Sequence, residues 1–248
     1  MADSNAGAPE APAAAPAEET LAKRLFGGSS VIHREAERRP FMVQFLKAQL
    51  PQDAYVEWLK RQSFVYAALE ETDRALKDDP VVGRMHSPEL YRTDAIDSDL
   101  RYFVGPDWRS TATCTPATQA YVDRIAWARD GFPPAYVAHQ WLRYMGNMLG
   151  QEILRKILER AYGLTEEGTN FYRYPEVGDP RTFLGGYHAR LNSMPLGDEE
   201  AQRFVDEGTE AFRLNIALTD ELGRDFGIGE FSAEETEAII EELAAEHP

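Results

Sequence analysis

The chain has 248 residues, 43% of them hydrophobic, with 11 Tyr, 12 Phe and 4 Trp, enough to bury one large core or two small ones. Its 42 acidic and 26 basic residues leave a net charge of −16, which argues against nucleic acid or an anionic membrane as the main partner. A single cysteine, Cys114, excludes an internal disulfide framework and a cysteine-rich metal centre, and no apolar run approaches the roughly 20 residues that span a bilayer.

Residues 1–18, rich in Ala, Pro and Glu, are expected to form a disordered tail. Residues 19–228 read as one domain and residues 229–248 as an acidic C-terminal helix. The N-terminus lacks a basic start followed by an apolar stretch, so a cytoplasmic location is the expectation. Helical periodicity begins at residues 20–26 and is expected to break at Gly27-Gly28, with Ser29 or Ser30 capping a fresh helix. Pro40 suits the first turn of the next helix. Asp53 is expected to cap a long helix to about Lys77, with Tyr55, Leu59, Phe64 (or Gln62), Tyr66 and Leu69 inward.

Asp78-Asp79-Pro80 stops that helix, and residues 87–110 read as a short helix and a loop. Thr115-Pro116 opens a helix to about Arg129, and the helix after Pro134 runs to about Tyr162, ending at Gly163. Residues 165–178 form an aromatic-rich loop. Asp179-Pro180 starts a helix to about Asn192, Gly197-Asp198 opens one to about Leu222, and Ser232 to Glu235 makes a capping box. No segment alternates as a strand does, so the expected fold is an all-α, single-domain, multi-helix bundle.

Residues 136–154 carry the most specific pattern. Val137, Trp141, Tyr144, Met148 and Ile153 recur at the steps of one buried helix face. Gly146 and Gly150 sit inside it, each costing a helix about 1 kcal/mol relative to alanine. Four residues apart, they share one face and leave a strip without side chains. Spacing alone leaves two readings open: close helix–helix packing, or close approach of something flat.

The run Arg143-Tyr144-Met145-Gly146-Asn147-Met148-Leu149-Gly150 resembles the distal-helix motif of the biliverdin-producing heme oxygenases, Arg-Tyr-Leu-Gly-Asp-Leu-Ser-Gly-Gly-Gln. Val31 to Glu37 resembles their proximal-histidine segment and Phe64 to Glu71 their second long helix. Tyr187 to Asn192 and Ala211 to Asn215 resemble two more segments, in order across roughly residues 20–222. The resemblance implies a heme oxygenase-like bundle holding heme b, as substrate and cofactor, between proximal and distal helices. It also implies dioxygen, an electron donor such as ferredoxin or a flavoprotein reductase, and the products biliverdin, carbon monoxide and ferrous iron. His33 would be the iron ligand, Glu37 its orienting partner, and Gly146 and Gly150 the steric wall. Phe212 and His188 would lie against the heme, and Asn147, Arg143, Tyr66 and Asn215 would form the catalytic distal network.

Several positions depart from the family pattern. Asn147 stands where the family has aspartate; an amide holds water but cannot titrate. Leu149 replaces a serine, Gln151 the third glycine and Trp141 a tyrosine. Phe26 and Ser30 occupy two lysine positions, and Leu184 and His188 a lysine and an arginine position, with Lys23 and Arg24 as candidate substitutes. These changes keep a second reading open: a relative that holds heme or another tetrapyrrole without efficient ring opening. A third, thiaminase-like chemistry, would need Cys114 as nucleophile. His139 is read as a core or network histidine. Arg38, Arg39, Lys47, Lys60, Arg61, Lys156 and Arg160 are the candidates for a basic docking patch.

Overall fold

The structure, a computed structural model, describes residues 19–229, 231–232 and 234–238. The expected N-terminal tail and most of the expected C-terminal helix therefore lie outside the described residues. The helices are α1 (Leu21–Glu37), α2 (Pro40–Leu46), α3 (Gln52–Ala75), α4 (Thr93–Phe103), α5 (Pro116–Gly131), α6 (Pro133–Gln140), α7 (Gly146–Tyr162), α8 (Pro180–Asn192) and α9 (Asp198–Asp225). No strand occurs among the described residues, as expected for an all-α chain.

Helix α1 runs unbroken through Gly27-Gly28, contrary to the sequence expectation, and is capped by Thr20 rather than by a serine. The reason is tertiary. A Cβ on Gly28 would lie 2.4 Å from Val205 Cγ1, and one on Gly208 would lie 2.4 Å from Leu25 Cδ1. The two glycines let α1 and α9 interlock, and the gain in packing offsets their poor helix propensity. Ser29, expected as a cap, instead bonds back to the carbonyl of Leu25 at 2.7 Å.

Prolines mark the starts of α2, α5 and α8 as the sequence indicates, and Asp179 caps α8 through Thr182 N. Asp53 does not cap α3; it lies within the first turn, after Pro51. Gly163 ends α7 in the left-handed region at φ 67°. Ser232 and Glu235 form the expected reciprocal capping bonds, at 2.8 and 3.2 Å.

Helix α9 is the strut of the bundle, with α1 along one side and α5 and α6 along the other; α3 packs on α4 and α5. Its core is unusually aromatic: Tyr55, Tyr66, Tyr121, Tyr136, Tyr144, Tyr187, Phe171 and Phe204 are fully buried. Each such ring contributes roughly 2–3 kcal/mol of apolar burial. Buried carboxylates fix the connections. Glu70 on α3 accepts from Arg92 N (2.6 Å) and Thr93 N (2.8 Å), capping α4, and Asp99 accepts from Asn170 N and Phe171 N.

Candidate functional site

Helix α1 packs on a small apolar cluster shared with α9 and the segment before α7. Ala36, Phe212 and Ile216 form it, with Ile32, Trp141 and Leu142 packed against them. On α1, the buried face is Ala22, Leu25, Ser29 and Ala36, which meets α9. The neighbouring stripe, Phe26, Ser30, His33 and Glu37, follows the same helical spacing and is left free. The His33 ring is half-exposed, tilted against Phe212 at 5.2 Å, with Nε2 3.5 Å from Glu37 Oε1. Thus one ring nitrogen is engaged and the other is open.

The segment before α7 departs from the α-helix. Between α6 and α7, Trp141–Met145 forms a π-helical turn. The sequence pattern predicts a plain helix here; π turns insert one residue and gather at functional sites. Beyond the turn, Gly146 is exposed, and a Cβ built on it would meet nothing within 4 Å. One on Gly150 would meet only the flexible end of Leu154, at 3.4 Å. The bare strip therefore faces open space, which decides against helix–helix packing as its purpose. Leu149, on the same side, is 49% exposed.

The other side of the turn carries the polar network. Tyr66 Oη donates to the Arg143 carbonyl at 2.8 Å and accepts from Asn147 Nδ2 at 2.8 Å. The Arg143 guanidinium donates to Asn215 Oδ1 and to Gln62 Oε1 and lies over the Tyr66 ring at 5.3 Å. The structure thus brings together all four residues expected for the network, from α3, the π turn, α7 and α9. Gln62, which ranked only as an alternative to Phe64 on the inward face of α3, proves buried and part of it. Its signal was the one-turn spacing from Tyr66. Burial pushes the Tyr66 hydroxyl up, partly opposed by Arg143, so it holds its proton at neutral pH. Next to the network is a cavity of about 100 Å³ lined by Phe41, Phe45, Tyr55, Trp58 and Leu154, with Arg143, Asn147 and Asn215 at its polar end.

Other candidates resolve differently. His139 is fully buried and bonds Glu207 at 2.8 Å, so it is a core histidine. Desolvation lowers His188, leaving it neutral at pH 7 and unable to act as a cation. His188 shares an i, i+4 row with Asn192, whose side chain accepts from Ala22 N, so that row faces α1. Arg24 bonds Gln202 on α9, and Lys23 is exposed. Cys114 bonds Gln119 and is pushed up by burial, the reverse of what a thiolate nucleophile requires. Among the basic candidates, Arg38, Arg39, Lys60 and Arg61 are paired with Glu237, Asp220, Glu57 and with Glu221 and Asp225, respectively. No group of three or more metal-ligating side chains occurs among the described residues.

A half-exposed imidazole on α1, a bare face at Gly146 and a buried polar network beside it occur together in one all-α chain. The comparisons with known proteins give its class. A family model described as heme oxygenase matches residues 19–221. The chain is 35% identical to heme oxygenase 1 of Synechocystis over 202 residues, 82% of this chain and 84% of that one. It is equally 35% identical to the heme oxygenase of Porphyra purpurea over 204 residues, 82% and 86% of the two chains. The crystal structure of Synechocystis heme oxygenase-1 in complex with heme superposes with a TM-score of 0.80 at 34% identity, covering 85% of this chain and 97% of that one. The Leptospira interrogans heme oxygenase gives 0.79 at 34% identity, covering 82% and 100%. The chain belongs to the heme oxygenase family.

Proposed function

We propose that the protein binds heme b between α1 and α7 and, with dioxygen and reducing equivalents, cleaves it to biliverdin, carbon monoxide and ferrous iron. The observation that carries this reading is the open face at Gly146, on a helix whose next residue, Asn147, bonds Tyr66. The site fits the group on further counts: an apolar cluster, a half-exposed imidazole, and Trp141 Nε1, buried with no hydrogen-bond partner.

Bound heme supplies the redox chemistry at iron and is itself the ring that is opened. His33 would hold the iron through its imidazole, with Glu37 and Phe212 beside the ring to orient it. Gly146 and Gly150 let backbone approach the ring closely and confine what reaches its edge. Tyr66 and Asn147 present hydrogen-bonding groups to water at the distal side, and Arg143 keeps that side electropositive. The cavity beside them has room for several waters, a route for protons that does not require Asn147 to titrate. His188 lies along the edge of α8 that faces α1, where it offers an N–H rather than a charge to the ligand.

A ferredoxin or flavoprotein reductase is the proposed electron donor. Of the candidate cations, the exposed Lys156 and Arg160 are the ones proposed to meet it, whereas Lys47 lies over the Phe231 ring at 5.9 Å. No helix among the described residues is long and apolar enough to cross a membrane, and the cytoplasm is the proposed location.

The test is a single-turnover assay on heme-loaded protein with ascorbate or a ferredoxin system. Loss of the Soret band with a rise of far-red biliverdin absorbance is expected. His33→Ala should weaken heme binding at least tenfold, on the order of 1.4 kcal/mol or more, and change the ferric spectrum. A Soret band that persists under reducing, aerobic conditions would overturn the oxygenase assignment.

A further inference from the structure

The distal network contains a charge with no counter-charge. Arg143 is 6% exposed, and its hydrogen-bond partners Gln62 and Asn215 are neutral amides. Among the described residues no carboxylate bonds to it. Its other neighbours are the faces of Tyr66 and Tyr121, at 5.3 and 5.8 Å, and its Nε is buried without a partner. Ring faces soften a buried cation but do not neutralise it, and buried charges are ordinarily paired.

We infer that the cavity bordered by Arg143, Asn147 and Asn215 binds a small monovalent anion of halide size. The cavity measures about 100 Å³, enough for such an ion with water beside it. Its polar end is rich in donors. Asn147 uses one of its two amide hydrogens on Tyr66, the Asn215 amide nitrogen donates to nothing among the described residues, and Arg143 Nε is free. The remaining wall is aromatic and aliphatic, with Phe41, Phe45 and Trp58, which excludes bulk water and strengthens the attraction to the guanidinium. Water alone could satisfy the N–H groups but would leave the charge. Asn147 is what permits the site, because a carboxylate at that position would occupy it from within the chain. The site does not depend on heme, since every donor is in place without it.

The experiment compares thermal melts of the full chain, with and without heme, in sodium chloride and in sodium gluconate at equal ionic strength. Both salts screen the overall charge, but gluconate is too large for the cavity. Chloride is expected to raise Tm by about 4 °C at ten times its Kd, saturating, beyond the gluconate effect. In Asn147→Asp the chloride increment should vanish, because the new carboxylate pairs with Arg143. Equal melting in the two salts would overturn the proposal, and so would a chloride increment retained in Asn147→Asp. Heme titration of the same samples fails or succeeds independently, so the two readings are tested apart.

Discussion

Asn147 is the residue on which chemistry turns. Its amide donates to Tyr66 Oη, leaving the tyrosine hydrogen for the Arg143 carbonyl. An aspartate can only accept, so Asn147→Asp would draw the Tyr66 proton to itself and add a titratable group beside a buried cation. The rate of biliverdin formation should rise about tenfold, less than the 10²–10⁴ of a newly supplied acid–base group, because cavity water already moves protons. The rate of the far-red rise in the single-turnover assay measures this; an unchanged rate would remove Asn147 from the proton path. The residues of this network were legible in the sequence through motifs: Arg143 and Asn147 in the run of eight from Arg143 to Gly150, Tyr66 in the segment Phe64 to Glu71, and Asn215 in the segment Ala211 to Asn215. Gln62 was legible only as an alternative to Phe64 on the inward face, because a glutamine on a helix carries no mark of whether it points to water or to an arginine.

At the scale of elements, two pairs of glycines do opposite things. Gly28 and Gly208 are needed by the fold, while Gly146 and Gly150 border open space. Gly28→Ala should destabilise the protein by about 1–3 kcal/mol, since its Cβ would lie 2.4 Å from Cγ1 of the buried, β-branched Val205, whose χ1 is stiff. Gly146→Ala should leave the ligand-free protein as stable or up to about 1 kcal/mol more stable, through helix propensity, while weakening heme binding. Urea melts and heme titrations on both variants separate the roles; a loss of ligand-free stability in Gly146→Ala would place that glycine in the packing instead. Helix boundaries set by local chemistry were readable: the prolines at 40, 116 and 180, Asp179 and Gly163 all stand where the sequence puts them. The continuity of α1 and the π turn were not. Both are settled by partners far away in the chain, and a glycine pair looks the same whether it breaks a helix or lets another one in.

Across the whole molecule, one buried cluster ties three helices. Glu207 on α9 accepts from Arg124 on α5 at 2.8 Å and meets His139 on α6 at 2.8 Å. Burial alone would raise its carboxyl, but the bonds from His139 and Arg124 prevail and hold it below its usual value. The native state therefore favours the charged form. Its contribution is complete above the unfolded value near 4.5 and disappears as pH falls through the lower folded value. Glu207→Gln should cost about 2–3 kcal/mol at pH 7, and the gap to the parent should close on acidification below about pH 4. Denaturant titrations at several pH values measure it; a gap that stays constant down to pH 3 would show that the charge contributes nothing.

The π turn has a consequence for length. Each residue added to or removed from a helix rotates everything beyond it by about 100°. The single surplus residue in Trp141–Met145 therefore sets the phase of α7 relative to α6, and with it the direction in which Gly146 and Asn147 look. Deleting one residue within 141–145 would relax the turn into ordinary helix and swing the bare strip and Asn147 to a new direction, taking Asn147 from Tyr66. The distal half of this site is held by a count of residues as much as by their identity.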